Sequence, residues 1–311
     1  MVTRPAPHPV AAPYRGRFAP SPTGPLHFGS LVAALGSYAE ARAQGGEWLV
    51  RMEDLDRPRE VPGAARAILA TLEAFGFEWD GPVIYQSQRT AAYAAALDQL
   101  GEQGLLYACT CSRREIAAAG LPGPEGPLYP GTCRTRALGR RGARAIRLRV
   151  ETPPINFQDA IQGPVTQDLE TELGDFILRR ADGLHAYQLA VVVDDASQNI
   201  SHVVRGADLT RSTPRQILLQ QYLGLPTPIY AHLPLVLDGQ GRKLSKSDAA
   251  APVDSRNPVP TLLQAWAFLG QPALAKPPLN PAEFWGQALT SWRLARVPAA
   301  ARRPPAPSPA E

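Results

Sequence analysis

Lys243-Leu244-Ser245-Lys246-Ser247 holds two of the only three lysines in a chain of 311 residues; arginine fills the remaining basic positions apart from Lys276. A run that keeps lysine twice in so arginine-biased a chain points to a need for a compact, mobile ammonium rather than a planar guanidinium. Gly239 and Gly241 place it in a flexible turn after the strand-like Leu233-Pro234-Leu235-Val236-Leu237. Lys243 and Lys246 would then close over a phosphate chain as a mobile clamp.

A second phosphate-directed feature lies near the N-terminus, in Arg17-Phe18-Ala19-Pro20-Ser21-Pro22-Thr23-Gly24-Pro25-Leu26-His27-Phe28-Gly29-Ser30. Two prolines and a glycine fix a strand and turn in its front half. Leu31, Ala34, Leu35 and Tyr38 follow at helical spacing. His27 and Gly29 therefore fall at a helix N-terminus, where unpaired N–H groups and the positive dipole end favour an anion such as phosphate. Gly29 lets a flat ring approach the backbone, and His27 can donate to a developing phosphoryl charge.

The three cysteines form another constellation: Cys109-Thr110-Cys111, then Tyr129-Pro130-Gly131-Thr132-Cys133. An odd count with one residue between two of them is a poor disulfide framework and suits a reducing compartment. From spacing alone they are either three thiolate ligands of a zinc ion with one tetrahedral position open, or inert or independently reactive thiols.

The elements that must position these groups are a strand, turn and helix at the first motif and a strand before the lysine run. A chain of this length with 44% apolar residues can bury a sizeable core in one or two domains. No apolar run approaches the ~20 residues of a membrane span, and no secretory pattern opens the chain, so a cytoplasmic protein without membrane association is expected. The formal charge of +4 allows a basic face for RNA but indicates it only weakly. Residues 1–14 and 299–311 are Pro/Ala-rich and are expected to be disordered tails. Gly183-Leu184-His185-Ala186-Tyr187-Gln188-Leu189-Ala190-Val191-Val192-Val193-Asp194-Asp195 reads as a strand-like run. The paired acids that end it are expected to shape the core by hydrogen bonding rather than to hold a metal.

His27-Phe28-Gly29-Ser30 resembles the HIGH signature of class I aminoacyl-tRNA synthetases, and Lys243-Leu244-Ser245-Lys246-Ser247 resembles their KMSKS signature, about 215 residues later. Leu244 replaces the signature's methionine, a near-isosteric swap. Arg17-Phe18-Ala19-Pro20-Ser21-Pro22-Thr23-Gly24 is similar to the opening of glutamyl-tRNA synthetases, and Arg51-Met52-Glu53-Asp54-Leu55-Asp56 to their second strand-to-loop segment. Only 64 residues follow Ser247, with two short helices expected at Thr261–Leu269 and Phe284–Leu289. That resembles the truncated glutamyl-Q branch, which keeps the catalytic core without an anticodon-binding domain.

The resemblance implies an α/β fold: a Rossmann-type parallel sheet over residues 15–255, a zinc-binding insertion at 107–136, and a short helical stub at 256–298. It assigns Arg17 to the glutamate side-chain carboxylate and Glu53 to its ammonium, with Ala19, Ser21, Tyr187 and Arg205 also contacting glutamate. ATP falls to His27, Gly29 and Lys246, and catalysis to His27, Lys243 and Lys246, with Mg²⁺ assisting. One zinc per chain is implied on Cys109, Cys111, Tyr129 and Cys133. An unperturbed tyrosine has a pKa near 10, which the ion must lower.

The implied reaction is activation of L-glutamate by ATP without tRNA, then transfer of glutamate to queuosine in the anticodon loop of tRNA(Asp). A monomer is the expected form. Two other readings stay open: a short discriminating glutamyl-tRNA synthetase charging the 3′ end of tRNA(Glu), and a catalytically inactive RNA-binding module. Against the second, His27, Gly29, Lys243 and Lys246 are all present.

Overall fold

The computed structural model describes residues 13–135, 144–237 and 251–300, and the backbone of 302–303. The lysine run at 243–247 and nearly all of both Pro/Ala-rich tails lie outside the described residues. Tyr14, at the edge of the first tail, stacks on His202 with ring centroids 4.0 Å apart.

The first half is β1 (Arg15–Phe18), α1 (Phe28–Ala43), β2 (Glu47–Met52), α2 (Ala64–Ala74), β3 (Ile84–Tyr85) and α3 (Thr90–Glu102). The three strands pair in parallel in the order β1-β2-β3. Both faces of β2 are covered: Trp48, Val50 and Met52 are fully buried on one side and Arg51 on the other, as a parallel sheet requires. Helix α1 lies so close to the sheet that a Cβ on Gly36 would meet Leu233 Cδ1 at 2.6 Å. Ser37 Oγ accepts from the buried Trp48 indole at 3.0 Å and ties the helix to β2.

Next come β4 (Leu106–Cys109), α4 (Arg113–Ala119), β5 (Ala145–Leu148), β6 (Ile155–Asp159), β7 (Gly163–Gln167), α5 (Leu169–Glu172) and β8 (Ile177–Arg179). Strands β4, β5 and β8 form a separate antiparallel sheet that carries the cysteine segment. The second half continues with α6 (Tyr187–Ser197), β9 (His202–Gly206), α7 (Thr213–Leu223), β10 (Ile229–Leu233) and β11 (Leu235–Val236). β9, β10 and β6 are parallel, with β7 antiparallel at the edge. The two half-sheets meet where β1 lies beside β9, Ser201 N–H donating to Arg15 O at 3.0 Å.

One sequence expectation is corrected here. The strand-like run ending in Asp194-Asp195 is helix α6 from Tyr187 onward. An unbroken apolar stretch fits a buried helix as well as a buried strand, because neither face shows polar spacing. Leu189 to Val192 are all buried against both neighbouring layers, so packing outweighs the β-propensity of the valines.

The chain ends with α8 (Pro258–Phe268), α9 (Pro281–Ser291) and β12 (Arg302–Arg303), whose backbone pairs with β11. The last two helices share one hydrophobic core with α1 and β2. Helix α9 is anchored by two indoles: Trp285 donates to Phe75 O at 2.9 Å, and Trp292 at its C-cap donates to Glu40 at 2.6 Å.

Candidate active site and cysteine cluster

A cleft of about 750 Å³ opens at the carboxyl ends of β1, β9 and β10. Ligands of open α/β sheets bind at such a junction, where connections leave in opposite directions. Arg17, Ala19, Ser21 and Glu53 line it from the first half; Tyr187 and Arg205 line it from the second. His27 and Gly29 reach it from the start of α1. Eight of the ten residues expected to handle glutamate, ATP and catalysis thus share one cavity, while Lys243 and Lys246 lie outside the described residues. The described residues flanking the lysine run also lead to the cleft. Val236 lines it, and Pro252 bridges His27 with Val253 N–H donating to Leu26 O at 3.0 Å.

His27 is the N-cap of α1, its Nδ1 accepting from Ser30 N–H at 3.3 Å and its Nε2 lying 3.0 Å from Ser30 Oγ. The histidine thus caps the helix while lying at the mouth of the cleft.

Beneath the cleft lies a buried charge network. Arg17 donates to Asp195 at 3.2 and 3.5 Å, and Arg51 reaches Asp195 at 2.8 Å and Glu53 at 3.4 Å. Behind them Asp194 accepts from Gln86 at 2.8 Å, from Tyr93 at 2.7 Å, and from Arg89. The paired acids therefore shape the core by hydrogen bonding. Burial pushes the Asp195 carboxyl up, but Arg17 and Arg51 prevail and hold it below its ordinary range. Glu53 moves the other way: its burial outweighs the help of Arg51 and Arg17, so its carboxyl is raised. A ligand ammonium is the kind of partner that would offset that cost.

Arg205 is 5% exposed and its hydrogen bonds among the described residues go to neutral acceptors. Nη2 donates to Thr213 Oγ1 and Gln216 Oε1, both at 2.8 Å, and Nε to His232 at 3.1 Å. Nη1 reaches Tyr187 Oη at 3.4 Å. The inner cluster sets three guanidiniums, Arg17, Arg51 and Arg205, beside the carboxylates of Glu53 and Asp195, with the buried acids Asp194 and Asp159 behind them. Of the three, Arg205 alone has no carboxylate in direct contact among the described residues.

Sequence reading missed Arg51, Arg89, Asp159 and His232. Arg51 had a signal, standing two residues before Glu53 and hence on the same face of a strand. The others are brought in by tertiary contact alone.

The cysteines gather elsewhere, where β4 runs into α4 and the following loop returns. Their sulfurs all lie within 4.8 Å of one another. Cys111 Sγ is 3.5 Å from Cys133 Sγ, and Tyr129 Oη is 3.4 Å from Cys109 Sγ and 3.8 Å from Cys111 Sγ. A tetrahedron with Zn–S bonds of about 2.3 Å has edges of about 3.8 Å, so three sulfurs and this oxygen fit one ion. The Cys133 N–H donates to Tyr129 Oη at 2.8 Å, and the Arg147 guanidinium lies 3.8 Å over the tyrosine ring. Burial and the thiols of Cys109 and Cys133 hold the Tyr129 hydroxyl protonated, with only the Cys133 N–H favouring negative charge there, so a bound cation would have to lower its pKa. Ser112 and Glu115 form a capping box at α4, directly after Cys111. Asp175 grips Arg134 and Tyr107, holding the strands and the Cys133 loop together.

A Rossmann-type core with a nucleotide-type cleft and an inserted cysteine sheet defines a class, and residues 14–259 match the family described as tRNA synthetases class I (E and Q), catalytic domain. The chain is 59% identical over 293 residues to a glutamyl-Q tRNA(Asp) synthetase of Dechloromonas aromatica, covering 92% of this chain and 96% of that protein. To the protein of the same name from Neisseria meningitidis serogroup C it is 52% identical over 297 residues, covering 94% and 100%. A glutamate-tRNA synthetase structure from Elizabethkingia anophelis superposes with a TM-score of 0.79 at 27% identity, covering 94% of this chain and 68% of that one. The chain belongs to the glutamyl-Q tRNA(Asp) synthetase family, a group of ligases of the class I aminoacyl-tRNA synthetase type.

Proposed function

We propose that the protein activates L-glutamate with ATP, without tRNA, and transfers the glutamyl group to queuosine in the anticodon loop of tRNA(Asp). The observation that carries the first step is the convergence of Arg17, Glu53, Tyr187 and Arg205 on one cleft, with Arg205 in direct contact only with neutral groups. L-Glutamate has one net negative charge at neutral pH, with two carboxylates for arginine forks and an ammonium for Glu53. Arg17, whose Nε and Nη2 are held by Asp195, would direct Nη1 to the side-chain carboxylate. Arg205 and Tyr187 would complete the amino-acid pocket beside Ala19 and Ser21.

A glutamate α-carboxylate oxygen attacks the α-phosphorus of ATP; the new O–P bond forms as the bond to pyrophosphate breaks, leaving glutamyl-adenylate. No protein nucleophile is needed, so positioning and charge stabilisation do the work. ATP would lie against the N-terminus of α1, with Gly29 beneath adenine and His27 toward the phosphates. Lys243 and Lys246 would offset charge on the departing pyrophosphate, with Mg²⁺. A hydroxyl of the queuosine ring then attacks the anhydride carbonyl and AMP leaves.

Cys109, Cys111, Cys133 and Tyr129 would hold one structural Zn²⁺ and stiffen the inserted sheet. Free thiols at ligand spacing suit a cytoplasmic enzyme, and a monomer is the expected form.

The test offers labelled glutamate and ATP to anticodon stem-loops of tRNA(Asp) with queuosine or with guanine, beside intact tRNA(Glu). Label on the queuosine stem-loop alone is expected. Label at the 3′ end of tRNA(Glu), lost when the terminal adenosine is removed, would make the protein a short glutamyl-tRNA synthetase instead.

A further inference from the structure

Behind Arg205, away from the cleft, three strands bring together a buried chain of polar groups. His232 in β10 is fully buried, and Asp159 in β6 is 1% exposed. The histidine Nδ1 lies 2.6 Å from Asp159 Oδ2, and its Nε2 accepts from Arg205 Nε at 3.1 Å, with Thr213 Oγ1 also 3.2 Å away. Arginine has donors only, so Nε2 must be unprotonated and the ring proton must sit on Nδ1, facing the carboxylate. Asp159 is itself locked: Oδ1 accepts the backbone N–H groups of Ile161 at 3.0 Å, Gln162 at 2.8 Å and His232 at 3.1 Å. Gln162 Nε2 returns a bond to His232 O at 2.7 Å.

The donor count of Arg205 gives this chain its consequence. Nε is taken by His232, and both Nη2 hydrogens by Thr213 and Gln216. Only Nη1, with Tyr187 at 3.4 Å as its one partner among the described residues, is left to meet a ligand. The guanidinium is planar, so fixing Nε and Nη2 fixes where Nη1 points.

We propose that Asp159 and His232 are positioning residues for glutamate: the carboxylate fixes the histidine tautomer, and the tautomer holds Arg205 so that Nη1 faces the substrate carboxylate. This rests on the assignment of Arg205 to glutamate. An amide at position 159 would put an NH₂ group against Nδ1, move the ring proton to Nε2, and set it against the Arg205 Nε–H. Shape would be kept and the hydrogen-bond direction reversed.

The test measures glutamate-dependent ATP–pyrophosphate exchange with the full chain, wild type against Asp159→Asn and His232→Phe, together with the ¹⁵N spectrum of His232. The expected result is a glutamate KM raised roughly tenfold to a hundredfold in both variants, with the KM for ATP unchanged. The wild-type spectrum should show the proton on Nδ1, and Asp159→Asn should move it to Nε2. Parallel changes in both KM values and in Tm would mean a merely structural role and overturn the proposal. An unchanged glutamate KM in Asp159→Asn would do the same. A wild-type ring protonated on Nε2 overturns it whatever the activity, so the idea remains testable if Asp159→Asn fails to fold. Absence of exchange in the wild type would instead remove the glutamate reading on which it rests.

Discussion

Arg17 in β1 and Asp195 in α6 stand 178 positions apart and form a buried fork, Nε to Oδ1 at 3.2 Å and Nη2 to Oδ2 at 3.5 Å. The pair joins the two halves of the sheet directly under the cleft. It also commits two of the arginine nitrogens, so that what a ligand meets is set by a helix from the other half of the chain.

Asp195→Ala would leave Arg17 and Arg51 without their shared carboxylate while both remain buried. Removing one partner from a buried charge pair costs about 3–5 kcal/mol. Chemical denaturation should show a loss of that size, and a change below about 1 kcal/mol would mean that water or another acid takes the place of Asp195.

Lys246→Ala tests the clamp. If the ammonium stabilises charge growing on pyrophosphate, its loss should raise the activation barrier by about 2–4 kcal/mol, read as slower glutamate-dependent ATP–pyrophosphate exchange. Exchange at the wild-type rate would remove Lys246 from the mechanism.

Freshly purified protein should contain about one zinc per chain, and Cys133→Ser should lose it, because structural sites need their full ligand set. Tyr129→Phe removes only the oxygen and should weaken retention against a chelator. Elemental analysis that finds no zinc in the wild type would sink the assignment.

Acid should expose the burial of His232. Burial holds its pKa below the ordinary value and Arg205 adds to this, although Asp159 pulls the other way. As pH falls through about 6.5, the unfolded chain takes up this proton first, so stability declines until the folded histidine titrates. The full contribution is present at and above neutral pH. His185 and His202 shift in the same direction. Tm followed from about pH 8 to about pH 5 should therefore fall more steeply in the wild type than in His232→Phe; equal slopes would show no differential titration. Asp159, Asp175 and Asp195 are depressed carboxylates, and their contributions are lost in a separate window, below about pH 4.

The placement of His27 and of the three cysteines was legible from local pattern. His27 and Gly29 are read at a helix N-terminus because the proline-fixed turn and the spacing of Leu31, Leu35 and Tyr38 leave few alternatives, and α1 begins at Phe28. The cysteines likewise share a short segment, so a tight return of the loop is enough to gather them. The valine run before Asp194 was not legible, because a fully buried helix and a fully buried strand have the same apolar signature.

The sequence by itself determined which residue types are available: two lysines, an N-terminal histidine cap, three thiols, and the acids and arginines that could meet a charged substrate. Only tertiary structure decided which of the 29 arginines are buried and what each nitrogen faces. Arg17 is turned by Asp195, Arg51 by Asp195 and Glu53, and Arg205 by His232, Thr213 and Gln216. These partners come from strands and helices far apart in the chain. A guanidinium's role depends on which of its five N–H groups remain after its neighbours are satisfied, and that remainder exists only once the sheet has closed.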